Sequence, residues 1–497
     1  MRRQRVGRTG LPIELGPVSN GEFSPRQPGP VAAEAARRAR ESIEDGIRRT
    51  GMDRRCFLTW CGTATVLSAL AACSREEAAR RSSTTTAAAP ASSTAPSTSG
   101  APGGTFTVPP EATTEPEAAA EALGGDELVV DVQTHLLEFD LSQPDSGGFF
   151  GSGFPQASCG ADDPRACFGI APWRALVLDG SDTSVAVLSA VPVVADPSPL
   201  STAVMERARA EAAAAGCDGR VLIQGEAFPT TGPTGEVLDG MSALAAAHDI
   251  AAWKTYTHVG SGWFLDDHEP SAPVVGQAFI DRARDTGVPI IAVHKGLASS
   301  PFASPVDIGP AATANPDVAF LVYHSGYQTG VAEGPYDPAA PNAGIDRLLA
   351  SVTAAGIGPG GNVYAELGST WYLLLQDPTQ AAHTLGKLLS TLGPDRILWG
   401  TDSIWYGSPQ PQIEAFRTFQ ISTELQERFG YPALTDEVKR RILGGNAARL
   451  HAFDPAAVAC PPPDEDQRGD ALAVGALGPT TAREARERFA AAHPWWT

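Results

Sequence analysis

Long apolar runs are missing from this sequence. None reaches the about 18 residues that a membrane-spanning helix needs, which excludes a polytopic membrane protein. Lysine is scarce, at four in 497 residues, and Lys plus Arg total 37 against 57 Asp plus Glu, a formal net charge of −20. Affinity for a phosphate backbone rests on clustered Lys and Arg, so a nucleic-acid-binding role is excluded too. Aromatic residues make up only 7% of the chain and histidine only nine positions, so the places where either gathers are informative. No Gly-x-Gly-x-x-Gly turn follows the first expected strand, which removes the support for a dinucleotide site.

What charge there is lies unevenly. The first 72 residues hold 12 Arg and seven acids, leaving 25 basic and 50 acidic side chains to the rest, a net of −25 there. Within the basic part, Asp53-Arg54-Arg55-Cys56-Phe57-Leu58 precedes a short, weakly apolar run at 62–72 ending in Leu70-Ala71-Ala72-Cys73. Positive residues, a short apolar stretch and small residues before a cut site are the grammar of an export signal. The Arg-Arg-x-Phe-Leu order resembles a twin-arginine signal, and Leu-Ala-Ala-Cys resembles a bacterial lipoprotein cleavage box. Together they imply a lipidated Cys73 and an exported protein, at the cell surface or in the periplasm, that touches the membrane only through that anchor.

The chain therefore divides into a leader or over-long start at 1–51, a signal at 52–73, a Ser/Thr/Ala/Pro tether at 74–123, one folded domain at 124–455 and a tail at 456–497. The tether is too poor in apolar surface to offset its ordering entropy. The tail carries a short helical pattern and ends in Pro494-Trp495-Trp496, a candidate for docking on the domain or on a second copy in a homo-oligomer. Beyond signal and anchor, Cys159, Cys167, Cys217 and Cys460 remain. Four Cys permit three pairings, and free thiols are the alternative. In an oxidising compartment a bridge from Cys159 to Cys167 is the expected one.

In the folded part, runs rich in Val, Ile and Leu recur at 128–132, 185–190, 221–224, 250–253, 289–293, 318–323, 362–365 and 396–399. Amphipathic segments at 201–215, 274–285, 343–355 and 378–391 lie between them, followed by Gly216, Gly287, Gly356 and Gly393 as helix C-caps. Strands alternating with helices argue for a parallel sheet, and eight of them over roughly 330 residues fit an α/β fold of the single (β/α)8 TIM-barrel type. A doubly wound open sheet is the runner-up.

Nearly every expected strand ends in a group able to bind a metal or move a proton. In order these are Asp131-Val132-Gln133-Thr134-His135, Gln224 and Glu226, Lys254, His294-Lys295, His324, Glu366, and Gly400-Thr401-Asp402. In a barrel all of these strand ends open on one face, where the active site sits. Neutral imidazole and carboxylate suit a divalent metal such as Zn²⁺, with Mn²⁺ or Fe²⁺ as alternatives, and one ion is expected here. Lys254 among apolar strand residues requires a partner such as Glu226 or Glu366, a lowered pKa, or carbamylation into a ligand.

These residues resemble the amidohydrolase superfamily, within it the branch of aminocarboxymuconate-semialdehyde decarboxylase and related metal-dependent hydrolases. The resemblance covers about 127–455. It rests on the Asp-x-x-x-His of the first strand, His294, His324, Gly400-Thr401-Asp402 and a closing Gly444-Gly445-Asn446-Ala447-Ala448-Arg449-Leu450. It implies a β/α barrel, a divalent metal, and hydrolysis of a C–N or C–O bond or non-oxidative decarboxylation. The branch opens with His-x-His, whereas this chain has Gln133-Thr134-His135, so an amide stands where the first imidazole is expected. Two ligand sets survive that change. One is His135, His294 and Asp402 with His324 as the catalytic imidazole. The other is a carbamylated Lys254 with His294 and His324, leaving Asp402 as the base.

Around these positions gather Tyr256, His258, Trp263, Phe264, Tyr327, Tyr336, Trp371, Tyr372, Trp405 and Tyr406, which suggests a pocket for a flat, small-molecule substrate. Lys295 and Arg174 are the candidates for pairing a substrate carboxylate. Three functions follow: a metal-dependent hydrolase, a barrel glycosidase using Glu226 and Glu366, or a solute-binding lipoprotein on a barrel that has lost its chemistry.

Overall fold

The computed structural model describes residues 103–455, apart from 114, 144–149, 160, 193–197, 216–217, 299 and 340. The leader, the signal with Cys73, Cys217, Cys460 and the tail from 456 lie outside the described residues. Ten strands are present among those described: β1 Gly104–Phe106, β2 Val130–Thr134, β3 Val185–Leu188, β4 Val221–Glu226, β5 Ala252–Tyr256, β6 Ile290–His294, β7 Ala319–Tyr323, β8 Val363–Glu366, β9 Ile397–Leu398 and β10 Phe419–Ile421.

Strands β2 to β9 pair in sequence order, every neighbouring pair parallel. The seam between β9 and β2 is closed by a parallel bridge from Thr134 to Ser403 and a hydrogen bond from Val132 N to Trp399 O at 3.1 Å. This is the eight-stranded β/α barrel expected from the spacing of the apolar runs. One apolar cluster is built from Val130, Val132, Val185, Val187, Ala292, Leu321, Tyr323 and Leu398. A second joins Ile223, Trp253, Ile291, Val293, Phe320 and Val322 to the apolar sides of the helices. The helix Pro378–Leu392 shows why its segment is helical: Asp377 accepts from the amides of Thr379 and Gln380, Pro378 opens the first turn, and Gly393 ends it at φ +79°. The Asn446–Leu450 helix is tied to β9 by Asn446 Nδ2, which donates to the carbonyls of Pro394 and Ile397.

The fold begins earlier than composition predicts. Of the tether expected at 74–123, residues 104–106 form β1, which pairs antiparallel with β10 in the register Thr105 to Gln420, and Pro116–Leu123 is helical. Thr105, Phe106 and Thr107 suit a strand, and the Phe106 ring meets Phe419 edge-on at 5.3 Å. A Cβ on Gly104 would stand 2.3 Å from the Pro378 carbonyl oxygen, so the strand can lie this close only as glycine.

Cys159 and Cys167 are bridged, as expected, with Cα atoms 5.9 Å apart. The turn just before the bridge rests on Trp405, through the Phe154 ring at 5.1 Å and a hydrogen bond from Gln156 N to Trp405 O at 3.1 Å. Opening a loop this short by Cys159→Ser is expected to cost about 2–3 kcal/mol in denaturant unfolding. An unchanged midpoint would contradict that role.

Candidate active site

The strand ends bring His135, Lys254, His294, His324, Glu366 and Asp402 to one mouth of the barrel, and all but His294 are buried. Asp131 is the anchor of this face. Its carboxylate accepts from Thr401 N at 3.0 Å, from the Thr401 hydroxyl and from Gln133 N at 3.1 Å, locking the turn after β9 to the end of β2. A register irregularity in the β2–β3 pairing falls between Asp131 and Thr134, beside Gln133 and His135.

Two imidazoles are fixed in one tautomer. His135 Nδ1 lies 2.6 Å from Ser189 O and His324 Nδ1 lies 2.8 Å from Gly368 O. A carbonyl only accepts, so both Nδ1 atoms carry hydrogen and each Nε2 is left with its lone pair. His135 Nε2 faces Asp402 Oδ1 at 2.9 Å. Gln133 Nε2 stands beside both, 2.9 Å from that oxygen and 3.3 Å from the imidazole nitrogen. Trp405 Nε1 also donates to Asp402 Oδ1 at 3.1 Å, and the Ser369 hydroxyl donates to Oδ2.

The pocket treats its acid and its bases differently. Burial would raise the Asp402 pKa, but the hydrogen bond and charge that a proton on His135 Nε2 would bring, the charge of the His324 ring and the Ser369 hydroxyl outweigh it and bring the group down to about 2. Burial holds His324 at about 4, and the partial burial of His294 together with the neighbouring His324, His258 and Lys254 holds it well below its ordinary value. Lys254 is lowered to about 7 by burial, against the pull of Asp402 and Glu366. Its Nζ has no hydrogen-bond partner and sits over the Tyr323 ring at 3.5 Å and the Tyr256 ring at 4.7 Å. The ion pair with Glu226 or Glu366 is therefore not formed.

Backbone strain gathers here as well. Of the seven non-glycine residues at positive φ among those described, four belong to this face: His324 at +64°, Ser325 at +53°, Ser369 at +53° and Asp402 at +61°. Glu366 holds two of these turns by accepting from His324 N at 2.9 Å and Gly368 N at 2.5 Å. Both of its oxygens are thus committed to backbone, which removes it as a glycosidase carboxylate.

Of the expected substrate contacts, Tyr256 stacks on His294 at 4.7 Å and Trp405 on His135 at 5.3 Å. Tyr372 and Tyr406 stack on each other at 3.9 Å, and Tyr406 Oη is 2.8 Å from Ser369 Oγ. Tyr327 is buried in the loop after β7, where its carbonyl accepts from Leu297 N at 2.7 Å.

The remaining candidates lie elsewhere. Lys295 points away from the mouth: its ammonium is fully buried, 2.7 Å from Asp307 Oδ2 and 2.9 Å from Phe302 O. Arg174 pairs with Asp179 at 3.2 Å on its own helical turn. Trp371 donates to Gln412 O and packs on Phe416 and Phe419, and Trp263 packs on Phe279, so both are core. Ser369 was missed from the sequence, where Gly368-Ser369-Thr370 carries no signal beyond small residues after a strand.

Among the described residues no three His, Cys, Asp or Glu side chains gather as a metal cluster. His135 and Asp402 supply two such ligands, and the third corner beside them is the Gln133 amide. An ionised carboxylate, imidazoles kept neutral and the unpartnered His294 Nδ1 are donors of the kind that one divalent cation takes.

The amidohydrolase family model matches residues 130–453, and the chain belongs to that family; it is an enzyme of the amidohydrolase type. Among solved structures, it is similar to a probable 2-pyrone-4,6-dicarboxylic acid hydrolase from Acinetobacter baumannii with citric acid bound, at 12% identity over 65% of this chain and 99% of that one, TM-score 0.42. It is also similar to 5-carboxyvanillate decarboxylase from Sphingomonas paucimobilis, at 12% identity over 66% and 100% of the two chains, TM-score 0.39. A further likeness is to a manganese-bound 5-carboxyvanillate decarboxylase from Novosphingobium aromaticivorans, at 12% identity over 66% and 97%, TM-score 0.38. No curated protein matches the sequence.

Proposed function

We propose that this protein is an exported, metal-dependent hydrolase that cleaves a C–N or C–O bond of a small, flat substrate at the barrel mouth. One observation carries the reading: His135 Nε2, Asp402 Oδ1 and the Gln133 amide meet within 2.9–3.3 Å of one another at the barrel mouth, where Asp402 is held low and His294 and His324 below the ordinary imidazole value, in keeping with cation binding. His135 and Asp402 would hold the ion, with His294 beside them. A divalent cation bound there supplies Lewis acidity and makes water easier to ionise.

The chain's own residues do the rest. Both oxygens of Asp402 already accept hydrogen bonds, so its part is to hold. The proton acceptor is then His324 Nε2, which takes the proton of the attacking water and returns it to the leaving group. Lys254 Nζ, unpartnered between two tyrosine rings, donates to the substrate oxygen on which charge develops. Tyr256 and Trp405 flank the substrate as flat walls. Export and anchoring at Cys73 rest on the signal pattern.

Treating the full-length protein with a chelator should abolish hydrolysis of a panel of aryl esters, lactones and anilides, and Zn²⁺, Mn²⁺ or Fe²⁺ should restore it. Undiminished turnover after complete removal of metal would overturn the reading. A Cys73→Ala protein should move from the membrane to the soluble fraction; one that stays membrane-bound contradicts lipidation.

A further inference from the structure

Three donor atoms at the mouth form a nearly regular triangle. His135 Nε2 to Asp402 Oδ1 is 2.9 Å, Gln133 Nε2 to Asp402 Oδ1 is 2.9 Å, and Gln133 Nε2 to His135 Nε2 is 3.3 Å. Ligands on bonds of about 2.1 Å are about 3.0 Å apart on an octahedral edge and about 3.4 Å apart on a tetrahedral one. Two of the three edges match the octahedral spacing. One corner, however, is occupied by an N–H₂ group, which can donate to Asp402 and to the lone pair of His135 Nε2 but cannot bind a cation.

The other end of the same amide is out of place. Gln133 is buried, and its Oε1 has no hydrogen-bond partner. That oxygen lies in a recess that exists because residue 368 is glycine: a Cβ there would stand 2.4 Å from Gln133 Oε1 and 2.6 Å from Glu366 Oε1. Two acceptor oxygens thus crowd the same recess. Half a turn of the amide exchanges its ends, moving Oε1 to the corner beside His135 and Asp402 and Nε2 to the side of the Glu366 carboxylate.

We infer that Gln133 is a two-state ligand. In the orientation described, its amide nitrogen stands between His135 and Asp402; after half a turn its amide oxygen takes that corner and binds the cation. An oxygen donor in place of a third imidazole or a thiolate suits a hard cation that accepts six ligands, so it narrows the advantage that Zn²⁺ holds over Mn²⁺ in such a site. This inference rests on the metal-dependent reading given above.

Titration calorimetry on metal-free, full-length protein with MnCl₂ and with ZnCl₂ tests it without an activity assay. The wild type should bind one Mn²⁺ per chain. Gln133→Leu should weaken Mn²⁺ at least about tenfold, and Gln133→His should raise the ratio of Zn²⁺ to Mn²⁺ affinity by at least the same factor, with thermal unfolding confirming that both variants fold. If His135→Ala abolishes binding while Gln133→Leu and Gln133→His leave both affinities within a factor of about two, the inference is overturned and the metal-dependent reading stands. If the wild type binds neither ion, that reading fails and the inference fails with it.

Discussion

Asp402→Asn is expected to lower kcat/KM by about 10²–10⁴ while leaving the thermal midpoint close to that of the wild type. Asparagine keeps the shape of the side chain and tolerates the left-handed backbone at φ +61°, so the fold survives the change. What is lost is the charge that His135, Gln133, Trp405 and Ser369 all address. Ser369→Ala gives the scale for comparison. It removes only one donor to Oδ2 and should cost about 10–100-fold. Kinetics and thermal unfolding of the two variants side by side check both values. Equal losses would mean that the charge of Asp402 matters no more than its position.

Asp307→Asn is the second change with a large effect, and its effect is on stability. It leaves the Lys295 ammonium buried opposite a neutral amide, which should cost about 3–5 kcal/mol in denaturant unfolding. The paired replacement Lys295→Met with Asp307→Leu should recover much of that loss, because two apolar groups need no partner. A stable Lys295→Met protein with a raised KM would instead return Lys295 to substrate binding.

The contrast between the two lysines shows where sequence reading ends. Lys254 and Lys295 both follow apolar strand residues and look alike in the chain. Only the structure shows that Asp307, twelve residues further on, turns inward to meet Lys295 while Lys254 meets tyrosine rings. The eight barrel strands were legible because a strand buried on both faces must be a short continuous apolar run. His135, His294, His324 and Asp402 were legible because rare residue types recurred at the ends of those runs. Ser369 and the backbone-holding role of Glu366 were not, since both depend on turn geometry at positive φ. The aromatics divided for a similar reason: Trp405 and Trp371 are equivalent in the sequence, yet one stacks on His135 and the other sits in the core. The start of the fold was misplaced because an edge strand of three residues is too short to outweigh the composition around it.

The central claim is that a cation held at the barrel mouth is required for hydrolysis. Elemental analysis and hydrolysis assays on the same preparations of full-length protein and its His135→Ala variant test it most directly. About one equivalent of Mn²⁺, Zn²⁺ or Fe²⁺ in the wild type is predicted, with metal and turnover lost together in a variant of unchanged circular dichroism. Hydrolysis at the wild-type rate in a metal-free His135→Ala protein would contradict the account.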